Sequence, residues 1–376
     1  HLSLRVGFFV IILLSASFVA PAWQSAGKAA GLEGTSNDQI DSDAFLNATV
    51  ITTQGGTGES GWKRAKIVAV DPDGTVLYEN GTYDIYMDVD PVPRTRATVE
   101  YVAAVHQTTD ASQCVRTTRH NRCNRMLYVR HNLSTDTSRV VYERVFPGTG
   151  SVRTHDIDRV GPNQLAVASI RDDTVYLFNT TSGLRTHVWT AADHFQPSSG
   201  GAYASDWTHM NDVEVLADGR IMASPRNHDQ VVFIHPTRGA QEDWTLGSDD
   251  DHSILYEQHN PDYIPAERGG PAVIVADSEN DRAVEYQRVN GDWQQTWAYP
   301  SQWSRDADRL PNGHTLITSS LGHEVVEVDK SGGVVWRHSV QLPYEAERLG
   351  TGDESTGGPA AAQAGLTGKT GAGEPG

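Results

Sequence analysis

Past an apolar N-terminal run, short Val/Ile/Leu/Tyr segments alternate with Gly, Asp and Asn along the chain, and no apolar stripe of helical period persists. Short apolar runs bounded by turn residues read as strands, so the pattern predicts an all-β protein. Aligning acid-x-acid pairs brings out a repeat. The pairs are Asp88-Val-Asp90, Asp156-Ile-Asp158, Asp212-Val-Glu214, Asn260-Pro-Asp262 (Asn standing in once), Asp306-Ala-Asp308 and Glu345-Ala-Glu347, at steps of 68, 56, 48, 46 and 39 residues. In most copies a turn and an apolar strand follow, as in Leu216-Ala-Asp-Gly-Arg-Ile221. A second strand comes next, such as Val231-Val-Phe-Ile234, and then a Gly turn and an aromatic, as from Gly239 to Trp244. Four strands in such a unit make one blade of a β-propeller.

The two ends complete each other. Ile67-Val-Ala-Val70 and Val76-Leu-Tyr78 are outer strands with no inner strand before them, and Tyr344–Leu349 is an inner strand with none after it. Joining them predicts a six-bladed β-propeller over 62–349 with N-/C-terminal strand closure, which removes the free sheet edges. Residues 24–61 read as a polar linker. The Gly/Ala/Thr-rich residues 350–376 lack apolar content and are expected to be disordered. Ahead of the linker, residues 1–23 hold the apolar run Val6–Ala22 behind Arg5. This N-terminal hydrophobic helix reads as a signal peptide or a retained membrane anchor.

Composition narrows the partners. There are 48 acidic against 30 basic residues, a net charge of −18, and only five Lys. An acidic, Lys-poor surface suits concentrated salt, so a halophilic source is expected. It also lacks the electrostatic footprint that nucleic acid requires. The sequons Asn47-Ala-Thr49, Asn80-Gly-Thr82, Asn132-Leu-Ser134 and Asn179-Thr-Thr181 agree with an exported glycoprotein. Cys114 and Cys123, the only cysteines, are expected to form a disulfide across a loop.

The residues just before the acid pairs should share one level of the ring: Met87, His155, Asn211, His259, Arg305 and Tyr344. Inner strands face the central channel, so polar groups would converge at one mouth. His209 lies two before Asn211, on the same face of an extended strand, and Arg226 follows a strand-like run. A guanidinium and an amide can bind the oxygens of an anionic ester. Neutral imidazole is a competent nucleophile, and either His209 or His155 could serve as general acid. Two other readings share these residues. Three histidines at one level could hold a metal, as in a lactonase or phosphoesterase. A propeller can also bind a ligand or a protein outside the cell without chemistry. Arg305 and the acid pairs themselves read as blade-to-blade salt bridges or turn hydrogen bonds.

His209-Met-Asn211, Ser224-Pro-Arg226 and Gln258-His259-Asn260, in that order on a propeller, resemble the PAPS-independent arylsulfotransferase family, most of all its members from salt-loving archaea. The resemblance covers about Trp62 to Leu349. It implies transfer of a sulfuryl group from a phenolic sulfate ester to a phenol through a sulfohistidine, with no cofactor and no metal. By position it makes His259 the nucleophile, gives His209, Asn211 and Arg226 to sulfate binding, and adds His155 as a further active-site histidine. The implied partners are an aryl sulfate donor and a phenol acceptor. With the N-terminal segment at the membrane, the propeller is expected on the outer face of the cell or secreted.

Overall fold

The computed structural model describes residues 43–58, 61–108, 123–147, 154–203 and 205–368. The signal or anchor segment 1–23 and Cys114, and with it the expected disulfide, lie outside the described residues. Among those residues, no helix is long and apolar enough to cross a membrane.

Six antiparallel sheets of at least four strands each succeed one another along the chain, the last completed by both ends. Their innermost strands are Ile85–Pro91, Ile157–Gly161, Met210–Val215, His259–Ile264, Ser304–Arg309 and Pro343–Arg348. The architecture is therefore the expected six-bladed propeller. Its apolar side chains collect into six clusters, one between each pair of neighbouring blades. One example sets Ala166, Val175 and Leu177 of the second blade against Val213, Ile221 and Val232 of the third. The core is thus a ring around the channel.

Closure differs from expectation by one strand. The order in the closing blade is Pro343–Arg348, Thr49–Thr53, Ile67–Val70, Val76–Asn80. Thr49–Thr53, placed by its polarity in the linker, is instead the second strand, with all five residues buried. β-branched Thr suits a pleated, half-buried surface, and its hydroxyl finds partners there. Thr52 Oγ1, for instance, reaches Glu345 O at 3.5 Å.

The tail also departs from expectation. Through residue 368 it crosses the end of the channel opposite the start of the inner strands, with Ser355, Ala360 and Ala361 buried. The Ser355 hydroxyl takes the Arg309 N–H (2.8 Å) and gives its own proton to Asp262 (2.5 Å). Ala361 N–H donates to the Glu285 carboxylate (2.9 Å), itself paired with the fully buried Arg309. Small residues make this possible: a Cβ at Gly358 would lie 1.8 Å from Arg309 O. A composition poor in large apolar groups is here what close backbone approach demands.

The acid pairs line the channel and are buried. In place of the expected salt bridge or turn hydrogen bond, the leading carboxylates of Glu345, Asp88, Asp156 and Asp306 reach for the backbone of the next inner strand. Glu345 accepts from Val89 N (3.0 Å), Asp88 from Ile157 N (3.3 Å), Asp156 from Val213 N and Asp306 from Ala346 N (3.1 Å). Asp212 alone of the leading acids breaks the ring. The residue it should meet is Pro261, which has no N–H, and Asp212 Oδ2 is left buried without a partner. Asn260 instead turns its amide across the channel to Glu345 (2.8 Å).

Burial pushes these carboxyls up. Asp156 and Asp306 rise to about 7, and Asp88, Asp212, Asp308, Glu345 and Glu347 rise well above the usual carboxylate range, with neighbouring carboxylates adding to the effect. A group whose folded-state value is raised stabilises the fold below its unfolded value, and that stability is lost as pH climbs through the folded value. Melting temperature should therefore fall from about pH 4, the ordinary carboxyl value, to about pH 7. Thermal scans across that range check this, and Asp156→Asn should flatten the slope. A melting temperature that rises with pH over the same window would contradict it.

Candidate active site

Where the inner strands begin, the chain enters each in a special conformation. Positive φ occurs at His209 (45°), Glu257 (47°), Trp303 (48°) and Leu342 (47°), each two residues ahead of the aligned positions Asn211, His259, Arg305 and Tyr344. Non-glycine residues seldom adopt such angles, and they gather where function over-determines the backbone. Strand pairing then skips a residue at Met210/Val213, His259/Asp262 and Ser304/Asp306. These bulges break the alternation of faces, so an aligned residue and the acid after it can both face the channel. The result is two tiers over the carboxylate ring.

In the lower tier His259 is 1 % exposed. Its Nδ1 lies 3.1 Å from Glu257 O and 2.8 Å from Ser278 Oγ, whose proton goes to Ser304 O (2.6 Å). A carbonyl and a committed hydroxyl can only accept here, so the proton is assigned to Nδ1 and the lone pair to Nε2. Ser278 belongs to Ala276-Asp-Ser-Glu-Asn280, which the sequence left without a role. Arg305 meets that lone pair, its Nη1 contacting His259 Nε2. Burial first, then Arg305 and Arg226, hold His259 well below the usual imidazole range, so it is neutral.

His155 stands beside this pair, its Nδ1 3.4 Å from the hydroxyl of buried Tyr344 and its ring 5.2 Å from that of His209. Burial, with His209 and the two arginines adding, lowers it well below the usual range. His209, in the upper tier, gives its Nδ1–H to Asp206, with both carboxylate oxygens at 3.0 Å. Burial lowers it while Asp206 opposes. Arg226 donates twice to Asn227 Oδ1 (3.0 and 2.9 Å), lies 3.4 Å from Glu257, and Asn227 in turn holds Asp206 O (2.6 Å). Two guanidiniums and three neutral imidazoles sharing one mouth make an anion site.

The structure brings together His155, His209, Arg226 and His259. Asn211 is nearby but fully buried, and its amide holds Gln258 O (2.8 Å), bracing the backbone ahead of His259. Arg305 departs from expectation: among the described residues it forms no ion pair, and it sits on Nε2 of His259. Asp206 and Ser278 went unassigned in the sequence; the same alignment read two residues upstream would have found the second tier. A metal triad of the three histidines is not assembled. Among the described residues, only Asp229, Asp250 and His252 bring three ligand atoms within 4.8 Å of one another, the first buried and the other two exposed.

The family model described as "Arylsulfotransferase (ASST)" matches residues 50–283. No curated protein matches the chain. Among solved structures, it is similar to a protein of unknown function from Bacteroides caccae, at 11 % identity and a TM-score of 0.50 over 81 % of this chain and 98 % of that one. It is also similar to the periplasmic gluconolactonase of Pseudomonas aeruginosa, at 12 % identity and a TM-score of 0.47 over 81 % and 99 %. Likeness at such identity concerns the fold alone.

Proposed function

Because the chain belongs to the arylsulfotransferase family, we propose that it moves a sulfuryl group from a phenolic sulfate ester to a phenolic acceptor, without PAPS, through a sulfohistidine at His259. The observation that carries this reading is the state of His259: buried and neutral, its proton fixed on Nδ1 and its Nε2 lone pair turned to the guanidiniums. Nε2 attacks sulfur, the S–O bond to the aryl oxygen breaks, and the electron pair leaves with the phenolate. In the second half-reaction the acceptor oxygen attacks sulfur and the N–S bond returns its pair to Nε2. The acceptor's proton passes to His209 Nε2, free because Nδ1 is committed to Asp206, and the resulting imidazolium is stabilised by that carboxylate. The same proton then serves the next leaving phenolate. Arg226 binds the anion, and the amide of Asn211 keeps the strand entry that carries His259 in place.

Incubation with a chromogenic aryl sulfate, with and without an added phenol, tests the reading. Release of the chromophore should depend on the phenol and be indifferent to chelators. Steady release into water, or loss on chelation, would point to a hydrolase.

We further propose that the propeller works outside the cell, on the strength of the apolar N-terminal segment and the sequons. Three of these asparagines cap turns at strand ends, accepting from Thr82 N (2.9 Å), Ser134 N (3.1 Å) and Thr181 N (3.0 Å).

A further inference from the structure

Arg305 is 5 % exposed, its Nε has no partner, and no carboxylate lies within ion-pair reach of it among the described residues. A buried cation left uncompensated is costly and persists only for a reason. Its guanidinium lies 3.7 Å from the centroid of Trp303, whose indole N–H is fixed by Glu279 (2.9 Å). Trp303 is one of the positive-φ residues of the upper tier. The indole therefore holds the planar fork over the mouth, and one arm of that fork touches the atom that must bond to sulfur. Tyr344, Arg226, Glu279 and Glu257 act on it through space, the two carboxylates from beyond ion-pair distance. Burial draws Arg305 down to about 10, Tyr344 opposes this and Arg226 adds to it, so the group stays cationic.

We propose that Arg305 is a catalytic residue: it binds the sulfonate oxygens as the sulfuryl group passes onto and off His259, with Trp303 as its positioning residue. This rests on the sulfohistidine reading above. In the resting protein Nη1 occupies the approach to Nε2, so donor binding inserts the sulfonate between the two. As the N–S bond forms and the S–O bond breaks, negative charge is carried by the three retained oxygens and the leaving phenolate. A fixed cation with no direct ion-pair partner is strong there, since no carboxylate holds its donors. The same charge then holds the sulfonate oxygens of the sulfohistidine until an acceptor arrives. Because no carboxylate among the described residues pairs directly with Arg305, the anion it awaits supplies the missing half of the pair.

Three readouts separate this role from a structural one. Arg305→Met removes the charge while keeping the bulk, and should melt at or above the wild-type temperature, because a buried unpaired cation is gone. Its kcat for aryl sulfate should fall by about 10²–10³-fold. Millimolar inorganic sulfate, compared with matched chloride, should raise the wild-type melting temperature more than that of Arg305→Met. Arg305→Lys keeps the charge without the fork and should regain part of the rate, which also covers a Met variant that fails to fold. Unchanged kcat in a folded Met or Lys variant would overturn the proposal. So would a melting temperature that drops in the Met variant with sulfate stabilising both proteins equally. If the wild type transferred no sulfuryl groups, the sulfohistidine reading would fall; the sulfate comparison would still report on the anion site by itself.

Discussion

His259→Ala should lower phenol-dependent release from an aryl sulfate by at least about 10⁴-fold, the scale seen when a covalent nucleophile is deleted. Donor affinity should change far less, because Arg226 and Arg305, the groups proposed to bind the sulfonate, remain. The variant should fold normally. The ring is buried at the mouth, but no apolar cluster includes it, and its partners Glu257 O and Ser278 stay bonded elsewhere or near water. Steady-state kinetics together with an equilibrium measurement of donor binding separates the two effects. Full activity in this variant would move the chemistry to direct transfer between donor and acceptor.

Removing residues 351–376 should cost stability of the order of 3–5 kcal/mol, although composition alone marks that stretch as dispensable. The segment donates or accepts hydrogen bonds at Ser355, Ala360, Ala361 and Thr367, each worth about 1 kcal/mol net before the cost of ordering the chain. Its loss also uncovers the Arg309–Glu285 pair, fully buried on both sides, and opens the carboxylate column from the end away from His259. A buried pair whose remaining hydrogen bonds are stripped is a liability. Denaturant unfolding of the truncated and full chains gives the difference. Equal midpoints would mean that the tail only rests on the ring.

The sequence displays the propeller plainly because the inner strands carry a marker unrelated to hydrophobicity. The acid pairs recur since four of the five leading carboxylates have a structural task, accepting an N–H from the next inner strand. Thr49–Thr53 carries no such marker, and its threonines hide a buried strand under polar letters. The tail is hidden for a related reason, because Gly and Ala signal freedom in a sequence but allow close packing in a fold. At the site, the aligned positions include His155, Asn211, His259 and Tyr344, which lie close to one another in the structure. Arg305 misleads because it precedes Asp306 in an acid-rich strand and invites an ion-pair reading. The bulge at Ser304/Asp306 decides otherwise by turning it to the mouth, and no local pattern announces a bulge. Asp206 is three residues from His209 across an irregular turn, so neither strand nor helix periodicity links them.

The central claim is that the sulfuryl group rests on His259 between donor and acceptor. Intact-mass measurement of the protein, quenched after mixing with an aryl sulfate in the absence of any phenol, tests it most directly. The expected result is a gain of one SO₃ group that is lost on acid treatment or on adding phenol, and that is absent from His259→Ala. Turnover of the aryl sulfate with no such adduct, or an adduct that persists in the His259→Ala protein, would contradict it.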